Sequence, residues 1–114
     1  MNTAEKNEIR GNFYEQVNMS PSELKNWLDT EESKNVGQKK ADDESVGHKS
    51  GERIIAIKKK NKDEYVEDDY KHMQKVVGYI KRHLAQKPQN NIESSKWRYS
   101  LMNWGHDPCK NIDC

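Results

Sequence analysis

The sequence predicts an all-α fold: a compact single domain of about five helices around a long central helix at about residues 67–86. Three observations predict it. Apolar residues recur at three- and four-residue steps in one segment after another, which is the spacing of a helical stripe. The segments are separated by helix start and stop signals, among them Ser20-Pro21, Gly37, Pro88 and Gly105. The stretch with strand-like propensity, Arg53 to Ile57, would have no partner strand, so helix is the better assignment there.

The first segment covers roughly residues 3–18, with Ile9, Phe13 and Val17 four residues apart on one stripe. The second opens on Ser20-Pro21-Ser22-Glu23. Ser at the N-cap, Pro at the first helical position and Glu at the third make a capping box with a pre-set first turn. Met19 can staple onto Leu24, and Leu24, Trp27 and Leu28 continue that face. Thr30 is placed to cap a short turn from Glu31 to Val36 that Gly37 ends. Residues 38–45 are polar and read as a loop.

The third segment runs from about Gly47 to Lys60. Gly47, Gly51, Ile54 and Lys58 share one narrow arc, so the glycines let another helix approach closely, at a cost of about 1 kcal/mol each in helix propensity. Residues 61–66 connect it to the central helix. There Tyr70, Met73, Val77, Ile80 and Leu84 form a heptad-like seam. Acidic residues at its start (Glu67, Asp68, Asp69) and basic ones at its end (Lys81, Arg82, Lys87) complement the helix dipole, and Pro88 stops it. After a loop at 88–94, the fifth segment, about Ser95 to Trp104, carries Trp97, Leu101 and Trp104 on one stripe and ends at Gly105. The domain therefore spans 3–108, and 109–114 reads as a flexible C-terminal tail.

Composition tests whether such a domain can hold together. Leu, Ile, Val and Phe number 18 of 114 residues, roughly 16%, which is low for a globular chain. The large net charge that marks disorder is missing, because 20 basic residues face 19 acidic ones. The three tryptophans lie on apolar faces and replace several absent leucines. No apolar run of about 18 residues exists, which excludes a transmembrane helix. The first six residues lack the apolar core of a secretion signal, so a cytoplasmic location is expected, nucleoid-associated if DNA is bound. In that compartment Cys109 and Cys114 should stay reduced.

The near-neutral total hides a division. Residues 1–46 carry a net charge of −4 and residues 47–114 a net of +5. A basic half points to a polyanion or an acidic partner, while an ordinary solvated helical surface would look similar. On the central helix, Lys71, Lys75, Gly78, Arg82 and Ala85 form a stripe well away from the apolar seam, with small residues between basic ones. The cluster Lys58, Lys59, Lys60 and Lys62 adjoins it in sequence. With Lys81, Lys96 and Arg98 these residues make a candidate phosphate-binding surface for duplex DNA. No base-reading motif accompanies them, so little sequence specificity is expected.

Other chemistry is thinly supported. His72 and His83 lie eleven residues apart on one helix, about 16 Å, too far to share a metal. His106, Cys109 and Cys114 offer three ligands where structural zinc takes four, so no metal site is assigned. The loop Gly47-His48-Lys49-Ser50-Gly51 lacks the full P-loop pattern. Trp97-Arg98-Tyr99 could form a stacking platform, with Arg98 and Tyr99 as its exposed members. No nucleophile, base and orienting group stand together, so neither an enzyme, a cofactor nor a small-molecule substrate is expected. The alternative to DNA binding is a module that associates with a protein partner or with itself through its acidic and basic halves.

Four motifs in order carry a resemblance: Trp27 to Gly37 (WLDTEESKNVG), Glu44 to Ile54 (ESVGHKSGERI), Lys75 to Gln86 (KVVGYIKRHLAQ) and Trp97 to Pro108 (WRYSLMNWGHDP). They resemble a family of small proteins catalogued as domain of unknown function thirty-one-forty, and the likeness covers about residues 8–108. Members of that family are often labelled DNA-binding protein, so the resemblance implies DNA binding without implying any particular ligand residues. Position 66 is Val where similar sequences often have Thr as an N-cap, which weakens the start of the central helix by about 1 kcal/mol.

Overall fold

The computed structural model describes residues 1–36 and 46–114, and the loop expected at 38–45 and the stop at Gly37 lie outside the described residues. Among the described residues there are six α-helices and no strand: α1 (Thr3–Gln16), α2 (Pro21–Leu28), α3 (Glu31–Asn35), α4 (Val46–Lys59), α5 (Glu67–Leu84) and α6 (Lys96–Asn103). Single 3-10 turns occupy Lys62–Glu64 and Pro108–Lys110. The all-α reading therefore holds, and Arg53 to Ile57 is helical.

Local chemistry explains where the helices begin. Ser20 Oγ accepts from the Glu23 N–H at 3.1 Å, and Glu23 Oε1 accepts from the Ser20 N–H at 2.9 Å, completing the expected capping box. Thr30 and Ser95 cap α3 and α6 in the same manner, through the Ser33 and Arg98 N–H groups. Val66 supplies no side-chain cap to α5. Instead Asp69, in the first turn of α5, accepts from the Val66 N–H at 3.0 Å and from Lys60 Nζ at 2.8 Å. Gly105 ends α6 with a φ of +82°, a region that favours glycine.

The central helix packs along α1 on one side, and α4 packs along α2. Short helix α6 touches α2, α3, α4 and α5, so it joins the two pairs. One core results, with Phe13, Leu24, Ile54, Met73, Val76, Ile80 and Leu101 completely enclosed. The expected seam residues Tyr70, Met73, Val77 and Ile80 are buried and Leu84 is half-buried. Val76, outside the expected seam, is also buried, which widens the apolar face of α5. Gly51 marks the tightest helix approach: a Cβ there would stand 2.7 Å from the Asn103 carbonyl oxygen.

Asn103, 1% exposed, ties α6 to α2 and α3. Its Oδ1 accepts from Trp27 Nε1 at 2.7 Å and from Ser33 Oγ at 2.5 Å, while its Nδ2 donates to the Ser33 carbonyl at 3.1 Å. The segment after α6 locks the α1–α2 connection. Asn18 and Asp107 exchange two hydrogen bonds, and the buried His106 donates from Nδ1 to the Gln16 carbonyl at 2.6 Å. Lys110 Nζ bonds the Asn18 carbonyl and Glu23, and this contact together with the Ser20 N–H lowers the Glu23 pKa to about 2. Cys109 and Cys114 are joined in a disulfide rather than free, their Cα atoms 5.6 Å apart, within bridging reach.

Candidate nucleic-acid interface

The candidate basic residues do not form one patch. Lys71, Lys75 and Arg82 lie exposed along a single stripe of α5, spanning about 16 Å of helix. Among the described residues none of the three makes an ion pair. Gly78 sits between them, and a Cβ there would meet Arg82 Nη1 at 3.2 Å, so the guanidinium folds back over the bare backbone. Lys81, one step around the helix, instead lines a cleft between α1 and α5 with Glu5 and Glu8.

Three of the candidates are engaged in holding the fold. Lys58 turns inward, and its Nζ donates to the Val17 and Met19 carbonyls at 3.2 and 2.9 Å. Burial lowers its pKa, and the nearby Lys110 adds to that. Lys60 is paired with the buried Asp69 at 2.8 Å. Arg98 grips Asp107 through Nε and Nη2 at 3.1 and 3.2 Å and donates Nη1 to the Glu93 carbonyl. Lys59 lines a separate cleft with Lys25, Asp29 and Glu52. Lys62 and Lys96 are exposed at the 3-10 turn and at the start of α6. Tyr99, expected on the surface, is half-buried and lies against Trp27 with ring centres 5.2 Å apart.

Two basic residues outside the sequence-based set complete the α5 stripe. Lys49 and Arg53, one turn apart on α4, line a cleft of about 260 Å³ with Ser50, His72, Lys75 and Trp104. Arg53 approaches Asp69 at 3.9 Å, a long contact on a half-open side chain. The four-residue step from Lys49 to Arg53 is the signal in the sequence, and the nearby run Lys58 to Lys60 obscured it. His72 forms the floor and shares a 3.0 Å hydrogen bond with Ser50 Oγ. Burial pushes its pKa down to about 4, and Arg53 and Lys75 push in the same direction. The imidazole is therefore neutral at pH 7. The charged side chains lining the cleft, Lys49, Arg53 and Lys75, are cationic, while Asp69 stands 3.9 Å from Arg53.

Beside this cleft the rings of α5 and α6 stack. Tyr79 lies 4.3 Å from Trp104 and 5.0 Å from His83, with planes within 13° and 17° of parallel. His72 continues the series on Trp104 at 6.4 Å. His72 and His83 thus act as packing rings, and the two tail cysteines are bonded to each other. Among the described residues no three His, Cys, Asp or Glu side chains are grouped to hold a metal ion. No helix among them is long and apolar enough to cross a membrane.

A family model described as Protein of unknown function (DUF3140) matches residues 12–102. No curated protein and no solved structure matches the chain.

Proposed function

The chain belongs to the family Protein of unknown function (DUF3140), whose description assigns no activity, and from the chain's own geometry we propose that it binds duplex DNA. Binding is through phosphates, with little sequence specificity. The observation that carries this reading is the stripe Lys71, Lys75 and Arg82, free of ion pairs among the described residues and bordered by the cleft of Lys49 and Arg53. Long cationic side chains on a rigid helix follow a phosphate backbone without reading base edges. The chain acts as a binding module without catalysis.

Titration of labelled duplexes of unrelated sequence tests this. The reading expects similar affinities for all of them, and the variant K71Q/K75Q/R82Q should weaken every one alike. Unchanged affinity in that variant would overturn it. A second reading is association with itself or another protein, supported by Glu5 and Glu8 at the α1–α5 cleft, which offer an acidic counterpart to the α5 stripe. Light scattering at high concentration tests the self-association form, which expects a salt-sensitive dimer.

A further inference from the structure

The stacked rings border a cavity that the phosphate-binding reading leaves unused. It measures about 400 Å³ and lies between α4, α5 and α6, lined by Val46, Gly47, Tyr79, His83, Ser100 and Trp104, with Asn103 at its wall. Val46 and Trp104 also line the cationic cleft, so the two hollows share a wall. A strand in one is thus within reach of the other.

The lining is suited to a flat heteroaromatic ring. Tyr79, His83 and Trp104 supply ring surface and edges, and Ser100 supplies a hydroxyl near Tyr79. Asn103 Oδ1 accepts from Trp27 and Ser33, and Nδ2 gives one of its two N–H groups to the Ser33 carbonyl, so the amide oxygen is taken. The Trp104 indole N–H donates no hydrogen bond among the described residues. Gly47 keeps the space beside it open, since a Cβ at that position would stand 3.1 Å from Trp104 Nε1. The ring nitrogens of His83 likewise have no hydrogen-bond partner among the described residues. Burial lowers its pKa, so the ring is neutral and offers one donor and one acceptor. An unpaired donor, a hydroxyl and a neutral imidazole around a ring-lined cavity match the edge of a nucleobase. They match an aliphatic chain or a simple anion poorly.

We propose that this cavity receives one unpaired nucleobase of a DNA strand whose phosphates lie along the adjoining cleft of Lys49, Arg53 and Lys75. The inference rests on the reading that the cleft holds a phosphate backbone. The strand must be single or locally opened, because a base inside a duplex cannot leave the stack without unpairing. Selection among the bases is weak, since every base offers a flat face to the outer side of the His83 ring, the last of the stack.

The test compares two single strands of equal length and charge on the unmodified protein, an oligothymidine and its abasic counterpart. The oligothymidine should bind about ten-fold tighter, the worth of one stacked base. His83→Ala should narrow that gap, whereas Lys75→Gln should weaken both strands together. Equal affinity of the unmodified protein for the two strands overturns the base site and leaves the phosphate reading standing. Binding of neither strand at low salt overturns both.

Discussion

Replacing Asn103 by Ala removes three hydrogen bonds at one stroke, those to Trp27 Nε1, Ser33 Oγ and the Ser33 carbonyl. Each is worth about 1 kcal/mol net, and stranding the enclosed Ser33 groups adds about 1–2 more, so the expected loss is about 4–5 kcal/mol. Ser33→Ala alone leaves Trp27 bound to Asn103 and should cost about 1–2 kcal/mol. Because the two side chains share their bonds, the double variant should lose less than the sum, by about 1–2 kcal/mol. Urea unfolding followed by circular dichroism measures all three as midpoint shifts at constant slope. A loss below about 1 kcal/mol for Asn103→Ala, or strict additivity, would refute the role of this amide as the tie between α2, α3 and α6.

Other outcomes follow from single contacts. Gly51→Ala should destabilise by about 1–3 kcal/mol, because its Cβ would press on the Asn103 carbonyl oxygen, whereas Gly11→Ala, with open space around it, should stabilise by about 0.5–1 kcal/mol; thermal melts check both. Lys58→Met should cost about 1–3 kcal/mol through the orphaned Val17 and Met19 carbonyls while leaving duplex affinity intact, and K71Q/K75Q/R82Q should show the opposite pattern of stability and affinity. In the unfolded chain His72 takes up its proton near pH 6.5, but in the folded chain only near 4, so its contribution to stability falls as pH drops through that window and levels off below it. The full effect is about 3 kcal/mol, and His72→Gln should flatten the stability profile between pH 7 and 4.5 in equilibrium unfolding.

Patterns local to one helix were legible in the sequence. The Ser20–Glu23 box, the Thr30 cap, the Tyr70 to Ile80 seam and the Gly105 stop each depend on residues a few positions apart, and each is present in the fold. Gly51 was readable too, because a bare position on a packing arc implies a close neighbour, though not that the neighbour is Asn103. What could not be read is which charged groups meet across helices. Lys58, Lys60 and Arg98 look in sequence like surface cations, yet they are engaged by the Val17 and Met19 carbonyls, Asp69 and Asp107. The length and flexibility of such side chains let them choose partners that spacing does not encode. Lys49 and Arg53 were missed for the converse reason: their cleft exists only because α4 lies beside α5. The low count of aliphatic residues is offset by Trp104 and by enclosed glycines that bring backbones together.

The salt dependence of duplex binding tests the central claim most directly. If Lys49, Arg53, Lys71, Lys75 and Arg82 each neutralise a phosphate, the logarithm of affinity should fall with the logarithm of salt concentration at a slope of about −4.5. The triple variant K71Q/K75Q/R82Q should retain a slope of about −2. A slope near zero, or the same slope in both proteins, would contradict phosphate binding by this stripe.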